Sequence, residues 1–197
     1  MSSLLDLVHQ QLDPQAISQL SRQLGTDEGT TRQAVPAALT ALLGGLAQGS
    51  SQPEGAQQLA GALAQHDGSL LDNLSGFFQN NALGAQGGGI LGHIFGHRQP
   101  AAESQISQAT GLDKGQAARL LMLLAPIVLA ALGRAKRQRN LDPGGLASVL
   151  AGERQHIERA QPEHRGLLNI LLDRDGDGHI ADDLAGMAAG GFLGRNR

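Results

Sequence analysis

A segment near the start of the chain recurs in its second half, and the way the two copies shift register restricts the fold more than any other feature. Residues 18–29 read SQLSRQLGTDEG and residues 104–115 read SQISQATGLDKG, so Ser, Gln, Ser, Gly, Asp and Gly coincide at an offset of 86. Farther on the offset is 90: Val35-Pro36-Ala37-Ala38-Leu39 faces Ala125-Pro126-Ile127-Val128-Leu129, and Pro53 and Gly55 face Pro143 and Gly145. Four added residues make about one α-helical turn and return an apolar stripe to the same face. From Val35 the apolar positions Val35, Ala38, Leu39, Leu42, Leu43 and Leu46 keep 3, 4 and 7 spacing, which is the helical period. No run alternates apolar and polar residues as a half-buried strand does.

These signals predict an all-α protein of two pseudo-repeated helical halves forming one bundle. The halves span residues 1–80 and 101–160, joined by a glycine-rich connector at 81–100 and followed by a C-terminal helix, loop and helix at 161–197. In each half a glycine ends one helix (Gly25, Gly111), and an aspartate two residues later (Asp27, Asp113) is placed to cap the next. Pro36 and Pro126 fall inside apolar runs and should kink a helix or mark its first turn, because proline has no N–H and crowds the preceding turn. The stretch around Ala82–Gly89 is too rich in glycine to predict a stable element and reads as mobile, with Ile90, Leu91, Ile94 and Phe95 available to dock on the core.

Composition narrows the chemistry. The chain has no Cys, Trp or Tyr, which excludes disulfides, thiolate nucleophiles and thiolate metal sites and removes most platforms for stacking nucleic-acid bases. With 15 basic and 18 acidic residues, the net charge of −3 gives no overall nucleic-acid footprint. The core must therefore be built from Leu, Ala, Val and Ile. The start of the chain lacks a basic segment leading into a long apolar run, so no cleaved signal is expected and the cytoplasm is the default location. The most apolar stretch, residues 120–133, is 14 residues long and interrupted by Pro126. It falls short of the roughly 20 residues that cross a bilayer and reads as a buried core helix.

The glycine-rich stretch leading into ILGHIFGHR, the segment SQATGLDKGQAARLLMLLAPIVLAALG and the closing LLDRDGDGHIADDLAGM together resemble the YidB-like family of bacterial proteins of unknown function, domain of unknown function 937. The resemblance runs from about residue 2 to about residue 190. It implies an all-helical fold and assigns no catalytic residue.

Five of the 18 acids, Asp173, Asp175, Asp177, Asp182 and Asp183, lie within eleven residues. Asp173-Arg174-Asp175-Gly176-Asp177-Gly178-His179-Ile180 matches the first eight positions of an EF-hand-like loop. Carboxylates at positions 1, 3 and 5 converge on a hard cation, glycine at position 6 permits the turn, and position 7, here His179, offers its backbone carbonyl. Leu184 stands at position 12 in place of the usual bidentate Glu, so Asp183 closes a shortened loop, with Asp182 as the alternative. Such a site predicts Ca2+ bound in a structural role, at about 10⁻⁵ to 10⁻³ M. Helix capping and Asx turns are the competing explanation for these aspartates. No second DxDxDG occurs in the chain, which favours a structural clip, or pairing across a dimer, over a paired calcium switch.

The remaining constellations are weaker. His93 and His97 are spaced to share one helix face, but Ile94-Phe95-Gly96 supplies no HExxH glutamate and no third zinc ligand follows. Arg134, Lys136, Arg137 and Arg139 follow the apolar run and suit the negative end of a helix dipole; an anionic partner, nucleic acid or membrane surface, is the alternative use. Nucleophile-elbow, phosphate-loop and dinucleotide motifs are missing, and Glu54, Glu103, Glu153 and Glu158 cannot be paired as acid and base from sequence. The expected function is accordingly a non-catalytic interaction or scaffolding module. Self-association through small-residue faces, including the apolar segment 185–193, and an unidentified protein partner are the expected interactions. An enzyme or regulator with a site between the halves near His93 and His97 is the rival.

Overall fold

The computed structural model describes residues 4–64, 68–79 and 83–160, and every regular element among them is helical. In order these are α1 (Leu4–Gln11), α2 (Pro14–Leu24), α3 (Glu28–Gly49), α4 (Pro53–Ala62), α5 (Leu74–Gln79), α6 (Leu83–Phe95), α7 (Gln99–Thr110), α8 (Lys114–Gln138) and α9 (Pro143–Ala160). Short 3₁₀ turns at Ser69–Asn73 and Gly96–Arg98 lead into α5 and α7.

The glycine stops and aspartate caps lie where the sequence places them. Gly25 and Gly111 take left-handed φ values of 69° and 75°, and each donates its N–H back into the helix it ends, to the carbonyls of Ser21 and Ser107. Asp27 then caps α3 by accepting from the Thr30 N–H at 2.8 Å. Asp113 accepts from the Gln116 N–H at 2.8 Å while the Gln116 side chain accepts from the Asp113 N–H, a reciprocal capping box. Asp13 and Asp142 cap α2 and α9 in the same way, each followed by a proline at the first helical position.

Helices α3 and α8 pack on each other at the centre, and most of the remaining helices lean on one or both. In α3 every residue from Ala37 to Leu46 is buried, and in α8 every residue from Leu123 to Gly133 is. A helix apolar on all sides is stable in water only inside a protein, so α1, α2, α6, α7 and α9 supply the cover, with α4 on α9 and α5 on α2. Three of the buried hydroxyls are satisfied within their own helices or caps: Thr31 donates to the Asp27 carbonyl, Ser21 to Ser18 and Ser50 to Ala47.

One expectation needs correction, and two are made more specific. Residues 83–89, read as part of a mobile stretch, form with residues 90–95 the helix α6, which packs on α8. Leu91, Ile94 and Phe95 are buried there, and their burial offsets the poor helix propensity of the glycines between them. Of the two placements expected for Pro36 and Pro126, the structure takes the internal one: α3 starts at Glu28 and α8 at Lys114, so both prolines lie inside helices. The 14-residue apolar stretch belongs to a 25-residue helix that is long and apolar enough to cross a membrane by length and composition alone, and 72% of its apolar span is buried within the protein, as expected of a core helix.

Candidate functional site

The aspartate loop, with Asp173, Asp175, Asp177, His179, Asp182 and Asp183, lies outside the described residues, as does the apolar segment 185–193. Among the described residues no group of three or more His, Asp or Glu side chains is placed to hold a metal ion.

His93 and His97 are exposed and lie on different elements. His93 is in the last turn of α6, whereas His97 is in the 3₁₀ turn that begins at Gly96, whose φ of 55° breaks the α-helical path. The i, i+4 spacing therefore does not become a shared helix face. The glycine at position 96 is the sequence signal against it.

The basic run is divided by its neighbours. Arg134 donates to the Gly68 carbonyl at 3.1 Å and forms an ion pair with Asp72, so it ties the end of α8 to the turn at Ser69–Asn73. Gly68, with φ of 80°, lies against the Arg134 Cβ; a side chain there would collide with it. Lys136 and Arg137 occupy the last turn of α8, where cations face the negative end of the helix dipole, and Arg139 follows at its C-cap. Arg98, half-buried at the start of α7, has its pKa lowered by desolvation.

Most acidic side chains outside the C-terminal loop are engaged in holding helices. Glu153 of α9 reaches across the fold to the start of α1, where its two carboxylate oxygens accept from the Leu4 and Leu5 N–H groups at 2.8 and 3.5 Å. A carboxylate at a helix N-terminus satisfies orphan donors and meets the positive end of the dipole. Glu103 accepts from the Gln99 side chain, Glu158 lies 3.5 Å from Arg154, and Glu28 lies 4.0 Å from Arg32. The Asp27 carboxyl is held below the ordinary aspartate range by hydrogen bonds from the Thr30 hydroxyl and N–H.

Sequence reasoning missed the contacts that join the halves. Gln116 Nε2 donates to the Leu24 carbonyl at 3.2 Å and Arg119 to the Gln23 carbonyl at 2.9 Å, so the first turns of α8 satisfy the open end of α2. Gln23 in turn donates to the Phe78 carbonyl of α5. These partners are 55 to 96 residues apart, and no local pattern encodes them.

A model of a family described as bacterial protein of unknown function, domain of unknown function 937, matches residues 6–135. The match takes in α2 to α7 whole, with most of α1 and α8, and stops before α9 and the aspartate loop, short of the extent that the sequence motifs suggested. No curated protein and no solved structure matches the chain.

Proposed function

The chain belongs to this bacterial family of unknown function, and from that premise we propose that it is a non-catalytic helical interaction or scaffolding protein carrying a structural Ca2+ site in its C-terminal loop. The motif Asp173-Arg174-Asp175-Gly176-Asp177-Gly178-His179-Ile180 carries the ion assignment. It sets three carboxylates at alternate positions and a glycine at the turn, the arrangement that wraps a hard cation. Asp173, Asp175 and Asp177 supply side-chain oxygens, His179 its backbone carbonyl, and Asp183 or Asp182 the closing ligand.

The scaffolding reading is supported by how the carboxylates of the body are used. Asp13, Asp27, Asp113, Asp142 and Glu153 hold helix ends, and Asp72 anchors Arg134. A carboxylate engaged in this way is a poor general acid or base, because the proton transfer would break the contact that holds the helix. We further propose that the two halves are copies of one unit. Glycine stop, aspartate cap, internal proline and a proline-started third helix recur in the same order in α2–α3–α4 and α7–α8–α9.

Titration of the full chain, stripped with a chelator, with Ca2+ in a calorimeter tests the ion site. The expected result is one saturable event with Kd of about 10⁻⁵ to 10⁻³ M, abolished in Asp175→Ala. Heat that persists unchanged in that variant, or none up to millimolar Ca2+, would remove the site.

A further inference from the structure

Helix α6 is composed against its own conformation. Five of its thirteen residues are glycine, and each glycine in a helix interior lowers the helix–coil equilibrium about 4- to 5-fold relative to alanine. Packing accounts for one of these glycines directly. A Cβ on Gly87 would collide with the Met122 carbonyl of α8, so α6 can approach α8 only with glycine at that position. Gly88, Gly89 and Gly92 have no such reason: a Cβ at any of the three meets nothing within 4 Å. Alanine would fit each place and strengthen the helix.

Among the described side chains of α6, the buried apolar ones lie at its C-terminal end. Leu91 and Phe95 are at most 2% exposed and Ile94 6%. Ile94 and Phe95 fill the space over Gly45 of α3, where a Cβ would stand 2.6 Å from Ile94 Cγ2 and 2.9 Å from Phe95 Cε1. Helix α6 also packs on α8, where Gly87 lies over the Met122 carbonyl that Pro126 deprives of its helical donor. The segment thus combines low intrinsic stability with a covering position over the buried core helix α8.

We infer that α6 is a cover that unfolds locally, ahead of the rest of the molecule, and that its opening bares the adjoining face of α8 and the Gly45 notch of α3. Local opening of this kind is set by the free energy of the segment rather than by global stability. The glycines with open space around them set that free energy low.

Native-state amide exchange on the full chain, read by mass spectrometry, tests the inference. In the unaltered protein, amides of residues 87–95 should exchange at least about 10-fold faster than those of residues 120–132. The triple variant Gly88→Ala, Gly89→Ala, Gly92→Ala should slow residues 87–95 by about 10- to 100-fold and leave residues 120–132 unchanged. Gly92→Ala alone should give a slowing of about 2- to 5-fold, a check that remains if the triple variant misfolds. Exchange of α6 as slow as that of the α8 core in the unaltered protein, or no slowing in the alanine variants, would overturn it.

Discussion

Gly87 of α6 lies against the carbonyl oxygen of Met122, the acceptor in α8 that would be bonded by residue 126 if that residue were not proline. The glycine hydrogen in the place of a Cβ points at that oxygen, the geometry of a weak Cα–H···O contact. The proline within the core helix and the glycine of the covering helix are in this way two parts of one packing solution. Gly87→Ala should force the helices apart and destabilise the protein by about 1 to 3 kcal/mol, the usual cost of overpacking. Thermal melts should show it as a lower Tm, in contrast to Gly88→Ala, which has open space and should be neutral or stabilising.

Phe95→Ala should be among the more damaging single changes. The ring is 2% exposed and fills the notch at Gly45, and deleting a buried phenylalanine side chain costs about 3 to 5 kcal/mol. Because Phe95 belongs to the segment that opens first, the loss should appear as faster amide exchange of residues 87–95 together with a lower unfolding midpoint. Gly45→Ala attacks the same contact from the opposite side and should also destabilise, because Ile94 and Phe95 must give way.

Glu153→Ala should loosen α1 without unfolding the body. It removes the acceptor for the Leu4 and Leu5 N–H groups, and loss of an N-terminal cap costs about 0.5 to 2 kcal/mol. The expected signature is faster amide exchange confined to the first turns of α1. Gln at the same position keeps one acceptor oxygen but not the charge, and should recover part of the protection.

Acid should weaken the start of α3 in a way that depends on Asp27. Its carboxyl is held below the ordinary value by the Thr30 hydroxyl and N–H. A depressed pKa stabilises the fold above the unfolded value, about 4, and that contribution is lost as the pH falls through the lower folded value. The difference in Tm between the unaltered protein and Asp27→Ala should therefore be full at neutral pH and shrink below about pH 4.

The sequence makes local signals legible and long-range ones obscure. Gly25, Gly111, Asp27 and Asp113 could be read as stops and caps because cap chemistry depends on three or four neighbouring residues. Helical spacing marked Val35, Ala38, Leu39, Leu42, Leu43 and Leu46 of α3 as core, but not the burial of Ala37, Thr40, Ala41, Gly44 and Gly45 on its other faces. Helix α6 was not legible, because its glycines argue for coil and only contact with α8 and α3 reverses that argument. Spacing alone also misled at His93 and His97, since the left-handed Gly96 between them turns the chain. The Glu153 clamp on α1 joins residues 148 and 149 positions apart and leaves no local trace.

Whether a preformed helical body carries a separate ion-binding loop can be read from amide exchange on the full chain in excess chelator and in millimolar Ca2+. Exchange over residues 120–132 should be slow in both conditions, with a calcium-dependent slowing confined to the segment around residues 173–183 and abolished by Asp175→Ala. Exchange around residues 173–183 that is indifferent to calcium, or a body that loses its protection in chelator, would contradict that arrangement.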